Sequence, residues 1–231
     1  MNHGSIKMKK VAGSKRKKEP WPTKKVMEQI YQMKLWGGNS ANFYSGEGSH
    51  LPDLVNPYID VLTSFLRSFD SPLTVCDLGC GDFNVGKELV KYSKQYVAVD
   101  IVPELIVRNK ETFKDDNLEF HCLDIAKDEL PAGDVAIVRQ VLQHLSNAEI
   151  QSILLKLTNF KYAIVTEHVP EGIFVPNKDI ISGQGIRIKK QSGVDLLAPP
   201  FNFEVQDVKE LLLLKLNDGI GVVVTTLYHI F

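Results

Sequence analysis

The sequence lacks long apolar runs and any strong net charge. Its longest apolar runs, Leu211–Leu214 and Ile220–Thr225, fall far short of the roughly 20 residues that a membrane-spanning helix needs. The N-terminus also lacks the apolar stretch of a secretory signal. A formal net charge of -1 offers no overall attraction to nucleic acid or to an anionic membrane. We therefore expect a cytoplasmic protein without a membrane span, and nucleic acid is disfavoured as a partner.

Cysteine is scarce, and its three positions form no metal-binding pattern. Cys76, Cys80 and Cys122 make an odd number without metal-ligand spacing, which favours reduced thiols over a disulfide framework or a zinc site. Histidine and carboxylate residues show no convincing ligand spacing either, so we predict no metal site; a divalent ion held by scattered carboxylates stays an open alternative. The composition fits a soluble globular protein: of 231 residues, 44% are hydrophobic and 24% are charged.

Residues 1–20 form a basic segment with almost no apolar content. Its positive charges are Lys7, Lys9, Lys10, Lys15, Arg16, Lys17 and Lys18. Such a segment cannot bury enough apolar surface to offset the entropy lost on ordering, which predicts a disordered tail. An electrostatic arm for a polyanion or an acidic partner is the alternative.

Residues 21–70 are predicted to form two helices joined by a glycine-rich loop. Apolar residues recur at helical spacing over Thr23–Trp36, where Thr23 suits the N-cap and two glycines end the helix. A second amphipathic pattern covers Asn56–Phe69. Between them lies Phe43–His50, rich in glycine and hydroxyl side chains, which is either a loop over a bound ligand or an ordinary connector.

From residue 71 to residue 231, short β-branched runs alternate with helical patterns. Strands are predicted at Leu73–Leu78, Tyr96–Val99, Leu118–Cys122, Val135–Val138 and Tyr162–Thr166, helices at Val85–Ser93, Pro103–Phe113 and Asn147–Leu157, and a late hairpin at Phe203–Val208 and Gly221–His229. Such alternation predicts right-handed βαβ units. We therefore expect an α/β fold, a doubly wound and mostly parallel seven-stranded sheet of the Rossmann-like kind with N-terminal helices.

The strongest local signal is a glycine turn at the end of the first predicted strand. Asp77-Leu78-Gly79-Cys80-Gly81 runs from the strand into the turn, and residues 85–93 are predicted to be helical. Gly79 and Gly81 allow a sharp bend and a close approach of the backbone to a ligand. A helix at this point would offer unpaired N–H groups to an anion or carboxylate. Alone the pattern is weak evidence, because tight turns use glycine in any case.

Two more carboxylates follow the next two predicted strands. Asp100 can accept both ribose hydroxyls of an adenosine, or it caps the helix that starts three residues later. Asp124 can accept the exocyclic amine of adenine, with Leu123 or Ile125 against the base, or it is only a loop residue. Parallel strands end at one edge of the sheet, where open α/β sheets bind ligands. We therefore expect these carboxylates to share a site with the glycine turn.

Together these segments resemble the signature motifs of class I S-adenosylmethionine methyltransferases. The resemblance runs in order from about Leu73 to Glu167, and the stretch Val135–Leu145 resembles its fourth motif. It implies an S-adenosylmethionine cofactor. The residues that it places at this cofactor are Gly79 and Gly81 at the methionine part, Asp77 at its ammonium, Asp100 with Ile101 at the ribose end and Asp124 with Ile125 at the adenine. The third glycine follows Gly81 by five residues rather than three, which departs from the dinucleotide-binding pattern.

The loop Phe43–His50 also resembles a stretch before the core of bacterial and viral methyltransferases linked to surface polysaccharides. This looser resemblance implies that the loop folds over the cofactor, with Tyr44 and Gly46 near the methionine carboxylate.

Methyl transfer from a sulfonium requires the protein to position the reactants and to remove a proton from the acceptor. His144, just past the fourth predicted strand, is the first candidate for the base, because histidine ionises near neutral pH; alternatively it caps the following helix. Glu167 and His168, after the fifth strand, are further catalytic candidates. Arg139 and Gln140 are predicted to contact the cofactor or the acceptor, unless Arg139 only pairs with a carboxylate.

A long, glycine-punctuated insertion at residues 174–200 is predicted to be a lid or acceptor-binding segment of the catalytic domain, residues 71–231. A structural excursion is the alternative. Its amide, hydroxyl and basic groups suit a hydroxylated acceptor. We therefore expect an enzyme that methylates a hydroxyl of a sugar or glycan. A protein or small-metabolite acceptor, or a cofactor-binding partner protein without turnover, are the alternatives, and the sequence leaves the oligomeric state open.

Overall fold

The computed structural model describes residues 20–38, 43–216, 219 and 221–231. Almost all of the predicted basic tail therefore lies outside the described residues. None of the helices in the described part of the chain is both long and apolar enough to cross a bilayer.

Seven strands form one sheet, which confirms the predicted fold. They are β1 Thr74–Leu78, β2 Gln95–Asp100, β3 Leu118–Cys122, β4 Val135–Arg139, β5 Tyr162–Val169, β6 Asp207–Lys215 and β7 Val222–His229. Their order is β3-β2-β1-β4-β5-β7-β6. The first five strands are parallel, and β7 lies antiparallel between β5 and β6. The strand order reverses at β1, between β2 and β4, and such a switch point is where open α/β sheets bind ligands.

Four α-helices flank the sheet: α1 Thr23–Gln32, α2 Pro52–Leu66, α3 Pro103–Thr112 and α4 Asn147–Leu157. The bounds of α4 agree with the prediction, because Ser146 and Glu149 form a capping box at its start. The predicted N-cap role of Thr23 is wrong. Pro22 occupies that position, and the Thr23 hydroxyl instead donates a hydrogen bond to Glu149.

No α-helix follows the glycine turn, which corrects the prediction for residues 85–93. Two short 3-10 turns, Gly86–Glu88 and Val90–Tyr92, take its place. Just before them, Phe83 has a left-handed backbone with φ of 62°, which cannot join a right-handed helix. This conformation buries the Phe83 ring completely, edge-on to Phe120 with 4.9 Å between the ring centroids.

The edge strand β6 also differs from the prediction of Phe203–Val208. It begins at Asp207, runs through four consecutive leucines and carries a bulge between Glu210 and Leu212. Four leucines in a row lack the two-residue alternation that marks a half-buried strand. Phe203 is buried, but it lies in the preceding loop.

Two apolar cores lie on opposite faces of the sheet, as expected for a doubly wound fold. Alternate residues of β1 serve them, since Cys76 and Leu78 enter one core and Val75 enters the other. The first core contains the inner faces of α1 and α4, and the second contains that of α2. Packing on both faces fixes the strand ends that carry the predicted carboxylates.

Candidate functional site

A cavity of about 360 Å³ lies at the carboxyl ends of β1 to β4. Most of the residues predicted to form a site meet on its wall: Gly46, Gly79, Gly81, Asp100, Ile101, Asp124, Ile125, Arg139, Gln140 and His144. Four predicted site residues do not line it: Tyr44, Asp77, Glu167 and His168. The volume falls within the roughly 300–1,000 Å³ of small-molecule sites.

The glycine turn brings bare backbone to the cavity. Gly79 and Gly81 have φ of 90° and 58°, a region that side chains disfavour. A Cβ on Gly79 would lie 2.4 Å from Val141, and a Cβ on Gly81 would lie 2.4 Å from the Ser45 hydroxyl. The N–H groups of Gly79 and Cys80 both donate to the carbonyl of Val99, which holds the turn against β2. The turn therefore admits no side chain at either glycine.

Asp100 is held by two backbone N–H groups and does not cap α3, whose N-cap is Val102. Its Oδ2 accepts the N–H of Gly81 at 3.0 Å, and its Oδ1 accepts the N–H of Val102 at 3.0 Å, next to the start of α3. Burial raises the pKa of this carboxyl. Each oxygen keeps a lone pair that can accept a hydroxyl of a ligand. Asp100 therefore braces the glycine turn and also lies on the cavity wall.

Asp124 lies on the cavity wall between two apolar neighbours. Its Oδ1 accepts the N–H of Ala126 at 3.1 Å, and its Oδ2 pairs with Lys127 at 2.7 Å. Leu123 and Ile125 line the cavity on either side of it. A polar group flanked by apolar side chains suits a flat heterocycle that carries an amine.

Asp77 lies below the main cavity, beside a second cavity of about 30 Å³ that Tyr58 and Arg139 also line. Tyr96 donates a hydrogen bond to its Oδ2 at 3.0 Å. Burial raises the pKa of Asp77 to about 7. The small cavity has room for one water molecule among polar groups. Gly79 lines both cavities, so Asp77 lies next to the turn without facing the larger space directly.

The loop between α1 and α2 is tied to the glycine turn by Asp82. The Ser45 N–H donates to Asp82 Oδ2 at 2.8 Å, and the Asp82 N–H donates to the Ser45 hydroxyl at 2.8 Å. His50 Nε2 also lies 2.6 Å from Asp82 Oδ2. Ser45, Gly46, Gly48 and Ser49 of this loop line the cavity. The prediction that the loop covers the site therefore fits the geometry of these residues.

Tyr44 departs from the position predicted for it. Its ring stacks on His50 at 4.2 Å between centroids, beside a separate cavity of about 240 Å³ on the other side of the loop. Because Asp82 holds both Ser45 and His50, the adjacent Tyr44 side chain turns away from the main cavity.

Arg139 joins the end of β4 to the same loop. Its Nη2 donates to the Gly48 carbonyl at 2.6 Å, and its guanidinium lies over the Tyr58 ring, 4.7 Å from the centroid. Burial lowers the pKa of Arg139. No ion pair within 4.0 Å joins it to a carboxylate among the described residues. Its contacts with the loop favour a site role over a simple ion pair.

His144 lies on the cavity wall, and Ser146 rather than His144 caps α4. Its Nδ1 is 3.1 Å from the Gly183 carbonyl, which can only accept, so Nδ1 carries the hydrogen. Its Nε2 is 3.3 Å from the side-chain amide of Gln143. Burial lowers the pKa of the imidazole to about 4. His144 is therefore neutral at physiological pH, and Nε2 bears the lone pair.

The predicted position of Glu167 and His168, beyond the end of the fifth strand, is wrong. β5 continues to Val169, because it pairs with β7 along its whole length, and both residues lie within the strand rather than beyond its end. Glu167 accepts the N–H groups of Leu142 and Gln143 at 2.9 and 2.8 Å, and burial raises its pKa to about 8. The His168 ring lies near Gly221, away from the cavity.

Sequence reasoning missed the contribution of α1. Thr23, Met27 and Tyr31 line the cavity, and their four-residue spacing puts them on one face of the helix. Trp36 follows, with its ring 5.2 Å from that of His144. The spacing was visible in the sequence, but it does not distinguish a core face from a cavity wall.

The insertion closes the remaining side of the cavity, where Gln184 and Ile186 lie on the wall. The Gly183 N–H donates to the His144 carbonyl at 2.9 Å, and the Gln184 side chain donates to the Leu35 carbonyl at 2.9 Å. The Ser182 hydroxyl donates to Glu149, which also lines the cavity. The insertion thus bridges the His144 segment and the end of the α1 segment.

Comparison with known proteins agrees with this geometry. Residues 76–160 match the family model described as "Methyltransferase domain". No curated protein matches the chain. A solved structure of similar fold is the N-methyltransferase NodS from Bradyrhizobium japonicum WM9 with S-adenosyl-L-homocysteine, at a TM-score of 0.63 and 12% identity over 88% of this chain and 98% of NodS.

Two further structures share the fold. One is magnesium protoporphyrin IX methyltransferase from Synechocystis PCC 6803 with bound SAH, at a TM-score of 0.56 and 13% identity over 90% of this chain and 100% of that one. The other is the [4+2]-cyclase SpnF, at a TM-score of 0.58 and 14% identity over 91% of this chain and 98% of SpnF. SAH is the demethylated form of S-adenosylmethionine, in agreement with the predicted cofactor. Residues 76–160 are therefore similar to a methyltransferase domain, and the chain has the Rossmann-like methyltransferase fold.

Proposed function

We propose that this protein is an S-adenosylmethionine-dependent O-methyltransferase whose acceptor is a hydroxyl of a small polar molecule such as a sugar. One observation carries the proposal. A neutral imidazole, that of His144, lies on the wall of the same cavity as the glycine turn and the strand-end carboxylates.

The residues present fit this cofactor. Gly79 and Gly81 leave a cradle that any side chain would fill. Asp100 has free lone pairs for the ribose hydroxyls, and Asp124 between Leu123 and Ile125 suits adenine. We place the methionine part at the glycine turn, near Gly46, Arg139 and Gln140. The buried Asp77 next to the turn would attract the methionine ammonium, directly or through one water molecule.

The chemistry requires one proton acceptor. S-Adenosylmethionine supplies the methyl group on a sulfonium. His144 Nε2 would take the proton of the acceptor hydroxyl once the acceptor displaces the Gln143 amide from its lone pair. The imidazolium would then carry the positive charge that the sulfonium gives up with its methyl group, so the total charge of the buried site would stay the same. A hydroxyl needs such a base far more than a free amine does.

The size and walls of the cavity limit the acceptor. Cofactor and acceptor would share a cavity of about 360 Å³, so only a small reacting part of the acceptor would fit beside the cofactor. Near His144 the wall offers the Trp36 ring and the side-chain amides of Gln143 and Gln184. Amides and an aromatic face suit a polyhydroxylated ring. The wall as a whole is mostly apolar, so these three groups alone support a sugar as the acceptor.

An amine acceptor is the second candidate, and Glu149 favours it. This carboxylate lies on the cavity wall, and hydroxyl donors from Ser146, Ser182 and Thr23 outweigh partial burial and lower its pKa. An ionised carboxylate would hold an ammonium group before methylation. NodS is named an N-methyltransferase, which makes the test of amines necessary.

The experiment combines calorimetry with a methyl-transfer assay. We expect wild-type protein and His144→Gln to bind S-adenosylhomocysteine with similar affinity. With labelled S-adenosylmethionine and a panel of sugars, sugar nucleotides and amines, His144→Gln should lower kcat by about 10²–10⁴-fold, the usual contribution of a general base. Methylation of amines alone, with His144→Gln fully active, would replace the hydroxyl proposal by the amine candidate.

The same assay tests for a cofactor-binding protein without methyl transfer. SpnF is named a cyclase, so the fold does not by itself imply methyl transfer. Tight binding of S-adenosylhomocysteine without transfer to any member of the panel would favour this alternative.

A further inference from the structure

The short turn Leu142–His144 lies between two buried polar side chains, those of Glu167 and Arg187. At its start, Glu167 on β5 accepts the N–H groups of Leu142 and Gln143. At its end, the guanidinium of Arg187 from the insertion donates to backbone carbonyls. The Glu167 carboxyl accepts N–H groups at the first residues of the turn, and the Arg187 guanidinium donates to carbonyls of the turn and of Leu145, so backbone groups at both ends of the turn have side-chain partners.

Arg187 is the largest side chain that the fold buries completely, with 1% of its surface exposed. Its Nη1 donates to the Leu142 carbonyl at 3.1 Å, and its Nη2 donates to the Leu145 carbonyl and to Asn147 Oδ1, both at 2.7 Å. Its Nε donates to the Lys178 carbonyl at 3.1 Å, within the insertion. One planar side chain thus joins the insertion to both ends of the segment that carries His144. The planar, five-donor fork of arginine allows this, and the ammonium of lysine does not.

The imidazole of His144 is itself held at both nitrogens. The His168 N–H donates to Gln143 Oε1 at 3.0 Å, which directs the Gln143 amide nitrogen toward His144 Nε2. The Gly183 carbonyl accepts the hydrogen on Nδ1. Both contacts depend on the position of the backbone at residues 142–145, because Gln143 and His144 belong to that turn.

We infer that Arg187 and Glu167 are positioning residues that clamp the turn Leu142–Leu145 and thereby fix the His144 imidazole with its Nε2 toward the cavity. The inference rests on the proposed function only for its catalytic consequence. It also assigns the insertion a role beyond covering the site, because the insertion supplies both Arg187 and the Gly183 carbonyl. Glu167 and His168 then act through the turn and not on the acceptor.

The test uses Arg187→Lys and Glu167→Gln in the full chain, with Lys189→Gln as the matched control. Lys189 is exposed and lies two residues from Arg187. The first readout is nitrogen-15 NMR of the His144 ring, which reports its tautomer and its pKa without any acceptor. We expect wild type and the control to show one tautomer with hydrogen on Nδ1 and the lowered pKa. In both clamp variants the tautomers should mix and the pKa should rise toward its ordinary value.

The second readout is kinetic. Misplacement of a catalytic group by about 1 Å can cost about 10²-fold, so we expect a loss of that order in kcat for Arg187→Lys. The KM for the acceptor and the affinity for S-adenosylhomocysteine should stay within about twofold, because a change in kcat alone marks a group that acts in the transition state.

The outcomes separate this inference from the proposed function. If wild type transfers no methyl group, while the clamp variants still disturb the His144 tautomer, the proposed function fails and the inference stands. Unchanged tautomer and pKa in both variants would overturn the inference. If both variants fail to fold and no longer bind S-adenosylhomocysteine, the inference is also overturned, since the two residues would then support the whole domain rather than the turn.

Discussion

Single carboxylates at the cavity have different environments although all lie near strand ends. Asp100 is buried and braced by backbone N–H groups, Asp124 is paired with Lys127, and Asp77 is buried beside a tyrosine hydroxyl. Burial opposes ionisation, whereas hydrogen bonds and cations favour it. Asp77, whose pKa burial raises to about 7, therefore titrates in the accessible range.

At the residue scale we predict that cofactor affinity depends on pH through Asp77. Only the ionised carboxylate attracts the methionine ammonium, so the affinity for S-adenosylhomocysteine should rise as pH rises through about 7. Below that pH the affinity should fall by nearly tenfold for each pH unit, because one proton must leave Asp77 for each molecule bound. Asp77→Asn should bind more weakly and without this dependence. Calorimetry between pH 5.5 and about 8.5 measures both.

The control for this prediction is Asp60→Asn, which removes an exposed carboxylate on α2 and should keep the wild-type profile. In the free protein, the contribution of Asp77 to folding stability changes with pH in the opposite direction to its effect on cofactor affinity. The pKa of Asp77 in the folded state lies above its ordinary 3.8, so the group favours folding below that pH and this contribution is lost as pH rises through about 7. A flat wild-type binding profile, or the same slope in Asp77→Asn, would contradict the assignment.

At the element scale, three segments enclose the cavity: α1 with Trp36, the loop up to Ser49, and the insertion around Gln184. Each is held by a few polar contacts near the cavity, such as Thr23 with Glu149, Gly48 with Arg139, and Gly183 with His144. Ser45 is the central one for the loop, since its hydroxyl accepts the Asp82 N–H and lies 2.9 Å from the Tyr31 hydroxyl. Loss of these contacts should loosen the loop without affecting the sheet.

We predict that Ser45→Ala weakens the binding of S-adenosylhomocysteine by roughly tenfold, since the two lost hydrogen bonds together contribute about 1–3 kcal/mol to loop closure. The free variant should also be cut faster by protease within the loop. Calorimetry and limited proteolysis give the two measurements. Ser64→Ala on the exposed side of α2 is the matched control. Equal affinity in wild type and Ser45→Ala would show that loop closure does not support the cofactor.

Contacts between segments distant in the chain explain why some elements could be predicted from the sequence and others could not. The spacing of apolar residues predicted α4 and β3 with correct bounds, because each is a continuous segment with a clear start. The prediction of a helix after the glycine turn was wrong: two 3-10 turns stand there, and Phe83 just before them has a left-handed backbone and a ring buried against distant residues. The length of β5 was underestimated, since pairing with β7 extends it to Val169. Both errors arise from partners distant in sequence.

At the scale of the whole molecule, the residues that stabilise the core of α4 can be changed separately from the residues of the candidate site. The α4 core residues pack against the sheet on the face that also receives α1. Leu154 is 2% exposed within this core, whereas its neighbour Leu155 is 68% exposed. The two leucines differ in burial but not in chemistry or helix, and they form an internal control for the contribution of the core.

We predict that Leu154→Ala lowers the free energy of unfolding by about 2–5 kcal/mol through lost burial and the cavity left behind. Leu155→Ala should change it by no more than about 0.5 kcal/mol. Urea unfolding followed by circular dichroism measures both values. Cofactor affinity of the folded variants should remain at the wild-type level. Equal losses for the two leucines would contradict the described packing of α4.

The sequence by itself determined the fold class and the order of the motifs that follow the first five strands. It also determined the edge of the sheet at which the cofactor is expected to bind. These features are local: a glycine turn or an acidic strand end is written in adjacent residues, and parallel strands bring their carboxyl ends together whatever else the chain does. Asp100 and Asp124 therefore reached the cavity as predicted.

Only the tertiary structure decided which side chains face the cavity and which hold others in place. Thr23 lies 126 residues from Glu149 in the chain, and Arg187 lies 45 residues from Leu142. Glu167 has the residue type of a catalytic acid or base, yet its strand position commits it to backbone N–H groups. Such roles depend on packing between distant segments, and no local pattern encodes that packing.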